Sequence, residues 1–492
     1  MGWFAAIVAW LFVCSFSLGS VESKRSLLAR GVGVGKAGCV DKSSDCQGWG
    51  RDSQCILNPY FTRDHCAKTC GTWKCGSHHG SASISHYATA MATHKFAHLL
   101  KGVESFSKGL CQRDPSMGEF LVPNQHLRSD PWLTLSTLGV GTYLGSADED
   151  TDNAVASGIV MSIAHGWNIL DTASNYRDGR GEKAVGEALK SLVFVTNHGI
   201  SREMLFISTK TGFTSRSILE ALISSGKITK SDIAGGMNCI HPECIMASIG
   251  QSLKNMNIKT VDLLYLHNAA EVHLPDVGVD VFFRRLRAAF ETLEELRKSG
   301  KIRAYGMATW DSFRVPPQHK MYVSLEKVVE LAREVGGVGH GFRYIQLPVN
   351  LKMPEAWLEK WQVVKGEELC TLEAAALLGV GSFASGPLME ANLVNNLPNP
   401  TKEKLMQIPV LKNIQGIGPK LLQLVRSTPY LTSTLVGQKS AFHVEQNIAL
   451  SGIDPLTTEQ FFKVMAELLP DASVEELVAA VNYLDVGGDS QE

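Results

Sequence analysis

The 492-residue chain has almost no excess of charge: 47 lysines and arginines face 49 acidic residues, a formal net charge of −2. Without a net field, nucleic acid and anionic lipid have nothing global to be drawn by, so nucleic acid is not an expected partner and a small molecule is. Cysteine is sparse over most of the length. Five of the eleven, Cys14, Cys111, Cys239, Cys244 and Cys370, are scattered, and the other six crowd between Cys39 and Cys75. Long apolar runs are also scarce. The one near the start, Trp3 to Gly19, has no basic residue before it and is followed by small residues, with Ser17/Gly19 or Val21/Ser23 suiting a peptidase. It reads as a cleaved signal peptide over residues 1–23, with an uncleaved anchor as the alternative that would bring the chain to a membrane. Metal-ligand spacing is lacking too: His78 and His79 have no ligand set around them, so no metal is expected.

Six cysteines in 37 residues, CVDKSSDCQGWGRDSQCILNPYFTRDHCAKTCGTWKC, point to a module too small to hold itself by burial and stapled instead by disulfides in an oxidising compartment. The leader and the cysteines therefore agree on a secretory route, to the endoplasmic reticulum lumen or beyond. Zinc binding is the rival reading, but paired C-x-x-C knuckles and histidine partners are missing from the gaps. Spacing alone leaves fifteen connectivities open. The stretch resembles the ShKT family, the sea-anemone toxin-like domain, in its cysteine order, Asp45 before Cys46, Trp49, Asn58-Pro59 and the closing Cys-x-x-x-Cys-Gly-Thr. That resemblance implies bridges Cys39–Cys75, Cys46–Cys66 and Cys55–Cys70 over residues 39–75, and a protein partner for the module. Tyr60 and Phe61 stand where the channel-blocking toxins carry a Lys-Tyr pair, so channel blocking is not carried over.

Gly33-x-Gly35-x-x-Gly38 matches a dinucleotide fingerprint only on paper, because cysteines follow it and not a helix. Residues 76–130 mix Ser, His and Gly without sustained periodicity and read as a linker, with a short helix around Ala88 to Phe106. From about residue 131 the texture changes. Apolar strands, Leu138–Tyr143, Asn168–Thr172, Leu205–Lys210, Val261–His267, Ile302–Ala308, Tyr344–Val349, Val380–Ala384 and Thr432–Val436, alternate with amphipathic helices. One such helix spans Phe283 to Lys298, with Phe283, Leu286, Phe290, Leu293 and Leu296 on one face and Gly300 as its stop. Another carries the stripe Val155, Ile159, Ile163 and stops at Gly166. Eight βα units predict an α/β fold, a (β/α)₈ barrel over residues 131–452. An open doubly wound sheet is disfavoured, since polar residues gather at the C-terminal ends of successive strands, where a barrel builds its site.

Four such residues form a set: Asp171 and Tyr176 in LDTASNYRDG, Lys210 in FISTK, and His267 in LLYLHN. Each alone has a bland reading, as a cap, a surface ring, a solvated strand end or a satisfied polar group. Together at one rim they make a proton donor with its supports. A tyrosine serves as acid near neutral pH if a cation brings its pKa of about 10 closer to ambient. Lys210 is placed to do so, Asp171 to keep Lys210 charged, and His267 to orient a carbonyl.

In these motifs and their order the chain resembles the aldo-keto reductase family from about Leu133 to Gly452. The resemblance implies reduction of a small aldehyde or ketone by NADPH lying across the barrel mouth, with Asp171, Tyr176, Lys210 and His267 catalytic. It places Thr309 of GMATW and Gln346 of YIQLPVN at the nicotinamide amide. Ser385 of FASGPLME falls where many members stack a tyrosine. In LVGQKSAFHVEQNIAL it puts Gly437, Gln438, Lys439 and His443 near the 2′-phosphate, and Gln446 and Asn447 at the adenine. A cationic helix N-terminus favours NADPH over NADH. The alternative is a cofactor-binding regulatory barrel with little turnover, the ShKT module acting as adaptor. Cys239 and Cys244 in MNCIHPEC either pair or remain two thiols. Residues 453–492 read as helical packing with an acidic tail.

Overall fold

A computed structural model describes residue 84 and residues 86–99, 111–112, 133–192 and 200–469. The leader 1–23, the cysteine module 39–75 with its three expected bridges, most of the linker and the acidic tail lie outside the described residues.

All eight expected strands form, two with the expected bounds and six shifted at an end by one or two residues: β1 Leu138–Gly141, β2 Ile169–Asp171, β3 Phe206–Thr211, β4 Val261–His267, β5 Ile302–Ala308, β6 Phe342–Pro348, β7 Gly381–Ser385 and β8 Ser433–Gly437. Each pairs in parallel with its sequence neighbours, and β8 returns to β1, so the sheet closes as a barrel. Their near-continuous apolar texture follows from this closure: one face fills the barrel and the other lies under helices. Inside, Phe206, Tyr344 and Phe383 pack ring to ring with centroids 5.5–5.9 Å apart, with Ile169, Leu263 and Leu435 in the same cluster. The lower barrel is therefore solid, and chemistry is confined to its C-terminal mouth.

The helices start where the sequence supplies caps. Asp148 accepts a bond from the Thr151 amide at 2.8 Å, and Glu149, Asp150 and Asp152 face the positive end of the helix Glu149–Ala164. This helix buries every residue from Val155 to Ile163. Gly158 makes that possible: a Cβ there would stand 1.6 Å from the carbonyl oxygen of Gln438, so the helix meets the chain leaving β8 backbone to backbone.

Three expectations need correction. The helical stretch before β5 runs from Ala269 to Lys298 and not from Phe283, broken at Gly278 where φ is +75°. Phe282 is the fully buried ring of that pair, while Phe283 only packs at the edge. Most telling, part of the linker belongs to the barrel. Ile84 bridges to Ile258, and the helix Ala90–Leu99 follows with Phe96 wholly buried. The Ala88 amide donates to Asp262 at 2.6 Å. Asp262 also takes the Ile207 amide at 2.8 Å and the Arg202 guanidinium at 2.6 Å, at the N-terminal end of the barrel. A docking surface made by isolated apolar residues leaves no periodic trace in a sequence. At the other end of the domain, the helix Thr458–Leu468 packs Phe461 against Trp357 at 5.2 Å, as the packing reading of this stretch expected.

Candidate active site

Period-two alternation along β3 turns Ser208 and Lys210 to the same inward face. Asp171 ends β2 directly beside Ser208, and Tyr265 of β4 lies beside Lys210. Inside a closed barrel a charged side chain must find a partner, and the two find each other: Lys210 Nζ stands 2.5 Å from Asp171 Oδ2 and 2.9 Å from the Thr172 carbonyl, with both side chains buried. The other Asp171 oxygen accepts from Ser208 Oγ at 2.7 Å and from Gln346 Nε2 at 3.0 Å.

Tyr176 comes from the loop after β2, its amide donating to the Ala173 carbonyl at 3.1 Å. Lys210 Nζ lies 4.7 Å from its ring centroid. The ring touches His267 edge-on at 5.9 Å and Tyr143 at 5.0 Å, and Phe213 closes on His267 at 5.2 Å. The four residues singled out in the sequence thus meet at one rim.

Their electrostatics differ in one respect from expectation. Burial raises the pKa of the Tyr176 phenol; Lys210 pulls it down and Asp171 pushes it up, and the net direction is upward. Lys210 therefore does not bring Tyr176 toward neutrality here, because desolvation of the phenolate outweighs the ammonium. Burial also works against the Lys210 ammonium, but Asp171 and Tyr176 overcome it and the pKa rises. The imidazole of His267 is pushed well below its usual range, first by burial and then by Lys210, so it is neutral at physiological pH.

Thr309 follows β5, its amide bound to the Gln346 carbonyl at 2.8 Å. Ser385 ends β7, half-buried. Beyond β8, Gln438 and Asn447 are buried and bonded to each other at 3.1 Å, Gln446 is half-buried, and Gly437, Lys439 and His443 are exposed. Ser208 carries no signal of its own in the sequence although it stands two residues before Lys210. Of the aromatic neighbours, Tyr143 closes the first expected strand without a readable role and lies two residues past the end of β1, and Phe213 lies beyond β3, where periodicity stops. Cys239 and Cys244 form a disulfide.

Residues 137–319 match the sequence model of the Aldo/keto reductase family. The chain carries an aldo/keto reductase domain. Residues 38–72 match the ShK domain-like family, taking in five of the six clustered cysteines and stopping short of Cys75. The NADH-specific methylglyoxal reductase of Escherichia coli is 29% identical over 188 residues, 37% of this chain and 50% of that protein; the chain spans about half its length. A putative voltage-gated potassium channel subunit beta of Schizosaccharomyces pombe is 24% identical over 343 residues, 68% of this chain and 89% of that protein. Among solved structures, an aldo/keto reductase of Klebsiella pneumoniae in complex with NADP and acetate aligns with TM-score 0.45 and 18% identity, covering 69% of this chain and 93% of that one. A glycerol dehydrogenase of Gluconobacter oxydans aligns with TM-score 0.48 and 19% identity over 69% and 94%.

The aldo/keto reductase domain implies a nicotinamide cofactor, and the residues present suit one. His267 Nδ1, Thr309 Oγ1 and Gln438 Nε2 are buried polar atoms with no partner among the described residues. Such atoms cost about 1–3 kcal/mol each unless a ligand or water satisfies them. Gln346 has one amide N–H committed to Asp171; its amide oxygen and second N–H are the groups it can offer a carboxamide.

Proposed function

We propose that the chain reduces an aldehyde or ketone to an alcohol at the expense of NADPH, with Tyr176 as proton donor. The observation that carries this reading is the convergence of Tyr176, Lys210, Asp171 and His267 at one rim. When bound, the nicotinamide supplies a hydride to the carbonyl carbon. The raised pKa keeps Tyr176 fully protonated at rest, ready to give its proton to the carbonyl oxygen as negative charge develops there. Lys210 then offsets the phenolate left behind, and Asp171 holds that ammonium in place. Neutral His267 orients the carbonyl oxygen by hydrogen bonding. Thr309, Gln346 and Ser385 would hold the nicotinamide end; Gly437, Gln438, Lys439, His443, Gln446 and Asn447 would hold the adenosine phosphate end. Preference for NADPH over NADH rests on the exposed Lys439 before the helix Ala441–Ile448.

Purified full chain with NADPH and a panel of reactive aldehydes, methylglyoxal among them, tests the assignment. Turnover by wild type and its loss in Tyr176→Phe are expected; equal, slow cofactor oxidation by both would sink the reading.

A second reading, a cofactor-binding barrel that serves as a regulatory subunit, draws support from the Schizosaccharomyces pombe match, which spans 89% of that protein. Quenching of tryptophan fluorescence by NADPH without turnover would favour it. As to compartment, we infer a secretory route: the Cys239–Cys244 bond and the ShK domain-like stretch both suit an oxidising environment. Recovery of the chain from the medium of expressing cells is the expected result.

A further inference from the structure

Between β3 and β4 the rim is crossed by a short segment whose centre is Asn238, fully buried and hydrogen-bonded through both its backbone and its side chain. Its backbone closes a turn with Ala234 through two bonds of 2.8 and 2.9 Å, and the next amide, of Cys239, donates to the Gly212 carbonyl at 2.8 Å. The chain around Gly212 has room for this only without a side chain. Its φ is +122°, and a Cβ would press at 3.2 Å on the His267 carbonyl and at 3.3 Å on the Asn238 amide. Segment 238–239 thus bridges the ends of the strands that carry Lys210 and His267.

The side chain makes the decisive contacts. Asn238 Nδ2 donates to the carbonyl oxygen of His267 at 3.0 Å, and Oδ1 receives His273 Nε2 at 3.2 Å. The assignment of these atoms follows from the chain of donors behind them. Arg285 Nη1 lies 3.0 Å from His273 Nδ1, and a guanidinium can only donate. Nδ1 therefore accepts, Nε2 carries the proton, Asn238 Oδ1 accepts it, and Nδ2 is left to hold His267. On the far side, the amide of Asn268 donates to the Ala308 carbonyl at 2.7 Å. The peptide joining His267 to Asn268 is gripped at both its carbonyl and its N–H, which sets the direction in which the imidazole leaves the backbone. The Cys239–Cys244 bond ties this segment to the first turn of the helix Pro242–Met256, in a small apolar cluster with Leu219, Leu222 and Ile228.

We propose that Asn238 is a positioning residue for His267, held in register by the Cys239–Cys244 disulfide. The inference rests on the reductase reading for its catalytic consequence but not for its geometric one, and the experiment separates the two. Asn238→Asp keeps the acceptor for His273 and removes the donor to His267. In full-chain protein labelled with ¹⁵N-histidine, with the His267 signal assigned by its disappearance in His267→Gln, Asn238→Asp is expected to move that signal. With methylglyoxal and NADPH it is expected to lower kcat at least tenfold while the NADPH Kd stays within twofold. On a His267→Gln background the same substitution should change kcat less than twofold, since its effect passes through a side chain no longer present. An unmoved His267 signal, or equal losses of kcat on both backgrounds, would overturn the proposal. If wild type turns over no aldehyde, the reductase reading fails and the His267 signal alone decides the positioning claim. Should Asn238→Asp not fold, the paired Cys239→Ser, Cys244→Ser variant reads the same signal with Asn238 retained; a shift supports the clamp and a fixed signal refutes it.

Discussion

The two ends of the barrel each hold a buried ion pair of nearly the same length, Lys210–Asp171 at 2.5 Å and Arg202–Asp262 at 2.6 Å, and they serve opposite ends. At the N-terminal end the pair is tied down by main chain. Asp262 takes the amides of Ala88 and Ile207, and Arg202 donates to the carbonyls of Leu205 and Thr260. At the mouth Asp171 is held by side chains, Ser208 and Gln346, Lys210 takes a single main-chain carbonyl, of Thr172, and the nearby His267 imidazole has a ring nitrogen without a partner among the described residues. A pair sealed by backbone fixes chain segments to each other. A carboxylate held by side chains can exchange a partner or a proton without moving a strand.

The comparison breaks most sharply at Tyr176. Tyr176→Phe should lower kcat by about 10²–10⁴, the usual worth of a positioned acid, while the thermal midpoint stays within a few degrees of wild type. Arg202→Met should do the reverse. Stranding the Asp262 carboxylate costs about 3–5 kcal/mol of stability, read as a lower denaturation midpoint, with kcat of the remaining folded protein unchanged. Acid separates the ends again. His273 near the mouth and His340 before β6 are both pushed by burial to about 4. Unfolded, each binds its proton near pH 6.5, so the unfolded chain holds more protons between these values and stability falls as pH drops from about 6.5 to about 4. The expected loss is about 3 kcal/mol per histidine. His340→Gln should flatten the fall without touching turnover, whereas His273→Gln should flatten it and lower kcat as well. Urea melts at a series of pH values would show both. The smallest effect expected is at Lys439: Lys439→Ala should raise the KM for NADPH about tenfold and leave that for NADH unchanged, equivalent to about 1.4 kcal/mol.

The same two ends differ in how legible they are in the sequence. The mouth announces itself because its residues end apolar strands: Lys210 after FIST, His267 after LLYL and Asp171 after IL break a pattern that barrel closure demands. All eight strands were visible for that reason. Asp262, by contrast, sits one residue into its strand, and Arg202 opens a single 3₁₀ turn, so neither interrupts anything. The docking of residues 84–99 depends on Ile84, Ala88 and Phe96, spaced too widely to form a stripe on one element. The sign of the Tyr176 shift depends on how much water burial removes, a quantity that residue types alone do not carry. Asn238 was hidden for another reason. Its neighbours Cys239 and Cys244 mark the segment, but an asparagine earns its place there only through a carbonyl 29 residues further along the chain.

The disulfide beside it joins residues only five apart in the chain. A ring that small takes little freedom from the unfolded chain, about 2 kcal/mol in the loop-entropy picture, a minor share of what holds a barrel of this size together. Reducing that bond alone should therefore leave the barrel folded, yet slack at one corner of its mouth. On the proposed reductase reading, an activity screen run on such material should record lower turnover than the oxidised protein gives.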